Sequence, residues 1–128
     1  MKYIKYIGIF VIAILTNVII LSSIVTATPP RFIGFQYDKN TDTLKVKISH
    51  FSPLRRIHYI YRIVIQKNGE IEQVHFYSKQ PGFLINRYKF NLSAETGDQI
   101  TISAYCILYG YNTKTKTIDS ITNTFIIS

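Results

Sequence analysis

Apolar and polar positions follow two different regimes along this chain of 128 residues. From Tyr6 to Val25 no residue is charged, and Thr16, Asn17, Ser22 and Ser23 are the clearly polar members of the run. About 20 helical residues at 1.5 Å each cover roughly 30 Å, the thickness of a bilayer's hydrocarbon core, so the run predicts one N-terminal membrane helix. Lys2 and Lys5 precede it and no basic residue follows before Arg31. That asymmetry sets the N-terminus in the cytoplasm and the remainder outside. A secretory signal peptide has the same layout, with Val25, Thr26 and Ala27 as the cleavage region. The run is longer than the usual apolar core of about 7 to 15 residues, which favours an uncleaved, single-pass anchor. Under either reading residues 1–28 are a signal anchor or signal peptide, and residues 29–128 form one domain at the outer face of the cell membrane or secreted.

Beyond the leader the period changes to two. Thr28-Pro29-Pro30 reads as a stiff tether, since consecutive prolines favour an extended backbone. A first strand is predicted over Phe32 to Tyr37, followed by a polar turn from Asp38 to Asp42. Leu44, Val46 and Ile48 then alternate with Lys45, Lys47 and Ser49, the pattern of a half-buried strand. A long β run covers Ile57 to Gln66. Asn68-Gly69 behind it takes the positive φ values of a type I′ turn and predicts a hairpin of Ile60 to Lys67 with Glu70 to Tyr77. Gln80-Pro81-Gly82 marks a turn before a strand from Phe83 to Leu92. After a turn at Glu95 to Asp98, the residues Ile100, Ile102 and Ala104 alternate toward Cys106. The segment Ile107 to Asn112 leads into final strands near Lys114 to Ile118 and Ile121 to Ile127. Seven or eight strands and no amphipathic helix predict an all-β, immunoglobulin-like antiparallel sandwich behind the membrane helix, lacking the Trp and paired Cys of antibody domains.

Composition narrows the function. The domain from Arg31 onward holds 13 basic residues against seven acidic ones, scattered along the strands with no run longer than Arg55-Arg56. Mixed solvated faces look like that, and with the export signal they speak against nucleic acid as a partner. No glycine loop for nucleotides and no Ser-His-Asp signature is present. Asn91-Leu92-Ser93 is an N-glycosylation sequon. Cys106 is the only cysteine, which excludes an internal disulfide and any tetracysteine metal site.

The remaining chemistry lies in His50, His58, His75 and Cys106. The segments His58-Tyr59-Ile60-Tyr61-Arg62-Ile63 and Ser103-Ala104-Tyr105-Cys106-Ile107-Leu108-Tyr109-Gly110 resemble two signatures of the desulfoferrodoxin, or superoxide reductase, family. Their order matches, with a hairpin and the Pro81-Gly82 turn between them, over roughly Leu44 to Ile118. The resemblance implies an immunoglobulin-like sandwich and an iron site of four histidines and an axial thiolate. It puts Cys106 at the thiolate and His58 at the strand-opening histidine. The chain departs from the family at three places. Tyr109 stands where a second histidine follows the cysteine, Ser52-Pro53 replaces His-Pro, and the stretch Pro29 to Tyr37 holds no histidine. The implied ligands are therefore His58, Cys106 and, if the loop shifts, His50, with Tyr109 as a phenolate fourth; His75 reads as an ordinary strand residue. Three classes of function follow: an extracytoplasmic domain holding iron or another metal, a surface-tethered binding module whose metal site has been lost, and a partner of another membrane protein through the leader.

Overall fold

The computed structural model describes residues 2–22 and 28–119. An N-terminal helix, α1 (Lys2–Ser22), is followed by seven strands: β1 (Arg31–Asp38), β2 (Thr43–Ser49), β3 (Ile60–Lys67), β4 (Glu70–Phe76), β5 (Ile85–Asn91), β6 (Gln99–Cys106) and β7 (Tyr111–Thr117). The strands form two antiparallel sheets, ordered β1-β2-β5 and β4-β3-β6-β7. Period-two alternation drives the split between faces. Leu44, Val46 and Ile48 of β2 and Tyr88 and Phe90 of β5 join Ile63, Ile65, Ile100 and Ile102 of the other sheet in one buried cluster. Lys45, Arg87 and Lys89 face water on the same strands. Removing that apolar surface from water, at about 25 cal/mol per Å², is what holds the sheets together.

The hairpin forms as the sequence predicts. Asn68 and Gly69 adopt φ of 53° and 87°, the left-handed pair of a type I′ turn. β3 and β5 start later than the β-forming residues suggest, and β7 starts earlier, at Tyr111. The amides of Ile57 and His58 both donate to the Leu54 carbonyl, so that stretch turns instead of extending, and β3 begins at Ile60. Phe83 and Leu84 donate no strand of their own but offer carbonyls to Ser52 and His50, and β5 begins at Ile85. A turn through Ile107 to Gly110, with Gly110 at φ 63°, returns the chain into β7. The strand expected at 121–127 and the cleavage region at 25–27 lie outside the described residues.

Register fixes the two ends of the domain. Arg31 pairs with Ser49 and Ser49 with Ile85 in one sheet, while Phe76, Arg62, Tyr105 and Tyr111 form the matching row in the other. The segments 50–59, 77–84 and 107–110 therefore share one end. The turn at 39–42, the hairpin at 68–69 and the segment 92–98 share the opposite end, where the Lys67 ammonium donates to the Ser93 carbonyl across the sheets. Among the described residues no helix is long and apolar enough to cross a membrane.

Candidate metal centre

One inward-facing strand position and two positions just outside strand ends converge at the first of these ends. On β2 the alternation of Leu44, Val46 and Ile48 carries on past the strand through His50 and Ser52, and all five are 2% exposed or less. Amides of His50 and Ser52 continue the ladder to Leu84 and Phe83, each at 2.8 Å, which keeps the period in step. On β6 the inward series Ile100, Ile102, Ala104 ends on Cys106, opposite Ile60 of β3. His58 lies two residues before Ile60. Its amide donates to the Leu54 carbonyl and its own carbonyl accepts the Ser52 hydroxyl. An apolar core thus terminates in a buried His50, His58 and Cys106 cluster, whose ligating atoms all lie within 4.8 Å of one another.

The hydrogen-bond network fixes one ring of the pair. The Gln80 amide nitrogen donates to the carbonyls of His50 and Gly82, at 3.0 and 2.9 Å. Its side-chain oxygen therefore faces His50 Nδ1, 2.7 Å away, and that nitrogen is the donor. In the neutral ring Nε2 then carries a bare lone pair, and it is buried with no hydrogen-bond partner. His58 Nε2 is likewise buried and partnerless. The two rings meet edge-on with centroids 4.6 Å apart. Burial, and then the nearby His50, pull the His58 pKa below its ordinary value, so its ring is neutral near pH 7.

Two stranded buried nitrogens cost about 1–3 kcal/mol each unless something satisfies them. A metal ion would. Neutral imidazoles and a thiolate suit iron, zinc and similar divalent ions, and a second-layer amide holding the far nitrogen of a ligating histidine is a familiar accompaniment. Bonds of about 2.0–2.3 Å set tetrahedral donors roughly 3.5 Å apart, so the cluster needs to draw in by only about an ångström. The residues fit a metal.

His50 occupies the site because the β2 alternation reaches it directly; Ser52 uses its hydroxyl structurally. Tyr109 sits in the β6–β7 turn and is 60% exposed. His75 lies on β4, tilted against the Phe90 ring at 4.6 Å with Nε2 bonded to Gln73, a strand histidine in its own setting. Gln80, 1% exposed, is the residue that sequence reasoning passed over as part of a turn. Its burial follows from the path of the β4–β5 connection, for which the sequence carries no local signal.

No family model matches the chain, and no curated protein matches it. Among solved structures it is similar to the superoxide reductase (neelaredoxin) from Ignicoccus hospitalis, with 15% identity over 71% of this chain and 78% of that one, at a TM-score of 0.44.

Proposed function

We propose that this chain is an extracytoplasmic, desulfoferrodoxin-like metal-binding domain, an immunoglobulin-like sandwich that holds one iron or similar divalent ion through His50, His58 and Cys106. The observation that carries this reading is a buried cluster of two histidines and the only thiol in the chain, each histidine with a partnerless Nε2. The order of the His58 and Cys106 segments, and their place at one end of two packed sheets, support it. An ion bound there would supply a thiolate-ligated centre of the kind used in one-electron chemistry.

The residues divide the work. With an ion bound, Cys106 would provide the sulfur donor at the end of β6, His58 a ring kept neutral by burial, and His50 a ring whose tautomer Gln80 sets. Reduction of superoxide is not part of the reading. Tyr109 stands in place of the family's second histidine with its ring exposed, and Ser52 spends its hydroxyl on the His58 carbonyl.

The same reading puts the leader in a membrane. Its support is the charge-free run from Tyr6 to Val25 and the exposed apolar side chains of α1 between Tyr6 and Leu15. The chain should stay with membranes through an alkaline wash; release into the supernatant would contradict the anchor.

Cobalt(II) titration under anaerobic conditions tests the metal site. The expected result is one equivalent bound, with a thiolate-to-cobalt absorption that Cys106→Ser abolishes. A folded protein that takes up no cobalt, zinc or ferrous ion would leave the binding-module reading in its place.

A further inference from the structure

All seven acidic residues of the chain lie toward the end opposite the metal cluster. Asp38 and Asp42 flank the β1–β2 turn, and Glu70 and Glu72 follow the hairpin. Glu95 and Asp98 sit in the β5–β6 connection, and Asp119 follows β7. The cluster end has no carboxylate in any of its segments 50–59, 77–84 and 107–110, and it exposes Arg55, Arg56 and Lys79. Between these cations the segment tips are apolar and open to solvent: Leu54 is 60% exposed, Ile57 62%, Phe83 57% and Leu108 52%. Alternating large apolar tips and cations, with no acid among them, is the make-up of a surface that inserts at a headgroup boundary.

From this we infer that the cluster end of the domain docks on an anionic lipid surface. Two observations select lipid as the occupant. Anionic headgroups complement Arg55, Arg56 and Lys79, and hydrocarbon below them accepts Leu54, Ile57 and Leu108; an acidic polymer offers the first without the second. The chain also enters the domain at this end. β1 opens at Arg31, paired with Ser49, and Pro29 lies beside Gly110 of the β6–β7 turn. A bilayer that holds the leader meets this end of the sandwich, with the carboxylates turned away from it. Docking shares its bilayer with the proposed tether, but the two fail separately.

The chain has no tryptophan, so a single one reports its own surroundings. Leu54→Trp and, separately, Leu108→Trp place the probe at the cluster end; Ile71→Trp, 64% exposed beside the hairpin, is the control. Each full-length variant is mixed with vesicles of phosphatidylcholine and phosphatidylglycerol whose acyl chains are brominated. The expected result is co-sedimentation, with emission at positions 54 and 108 shifted to the blue and quenched about twofold or more, and emission at position 71 unchanged. Adding Arg55→Glu and Arg56→Glu should restore most of the lost emission at position 108. Co-sedimentation with positions 54 and 108 unquenched would keep the tether and overturn the docking. Absence of co-sedimentation would overturn both. Equal quenching at all three positions, quenching as strong on pure phosphatidylcholine, or a blue shift already present without vesicles would each overturn the inference, the last by placing a second copy or another protein on this face.

Discussion

His50 Nδ1 donates to the side-chain oxygen of Gln80 across 2.7 Å, and the two residues are thirty positions apart in the chain. This bond decides which imidazole nitrogen of His50 is free, because the Gln80 amide group is already committed to two carbonyls. Replacing Gln80 by Leu removes the acceptor and frees the ring to turn. Metal affinity should fall about 10- to 100-fold, as for other partners of ligating histidines. Competition with a chromophoric chelator measures it, and unchanged affinity would show that the tautomer is set elsewhere.

Gly82 supports the same loop. A Cβ there would collide with the Ile85 carbonyl, while the Gly82 carbonyl holds Gln80 and its amide donates to Asn86 at 2.8 Å. Gly82→Ala should therefore lower stability by about 1–3 kcal/mol and weaken metal binding together, because one backbone shift disturbs both. Urea denaturation and the chelator competition on the same sample check the coupling.

Acid should weaken the metal-free fold through His58. Its folded pKa lies below the ordinary 6.5, from burial first and then from His50. Above that value both the folded and unfolded states hold a neutral ring, and stability is level. As pH falls through about 6.5 the unfolded chain takes up the proton first, so stability declines until the folded pKa is passed. Thermal unfolding between pH 8 and 5 should show this fall, and His58→Gln should flatten it. Asp98 acts in a separate, lower window. The Glu95 amide and the Asn68 side chain hold its carboxyl below its ordinary value, so its contribution persists until pH falls through the carboxylate range.

Tyr37 locks the opposite end. Its hydroxyl donates to Asp42 at 2.7 Å and accepts from the buried Ala94 amide at 3.0 Å. Tyr37→Phe leaves that amide unpaired and should cost about 1–3 kcal/mol with metal affinity unchanged. A parallel loss of affinity would mean that the two ends are coupled through the core.

Much of this architecture is legible in the chain. The alternation of Leu44, Val46 and Ile48 predicts β2, the Asn68-Gly69 pair predicts the hairpin, and Ile100 to Ala104 predict the strand that delivers Cys106. Carried two residues further, the same alternation reaches His50, so its inward position was open to reading once the strand was trusted past Ser49. The turn at Leu54 to His58 was not, because Ile57 has the composition of a strand and bends only through shared bonds to one carbonyl. Gln80 was hidden for a related reason. A buried polar residue in a connection depends on where the rest of the fold closes over it, and Gln-Pro-Gly reads locally as a solvated turn.

The most direct test of the central claim is elemental analysis of the full chain, purified without oxygen or chelators, beside Cys106→Ala and His58→Ala. The account predicts close to one iron or similar divalent ion per chain, lost in both variants while their strand content by circular dichroism is unchanged. A folded native protein without metal, and with no uptake when ferrous iron or zinc is added, would contradict it.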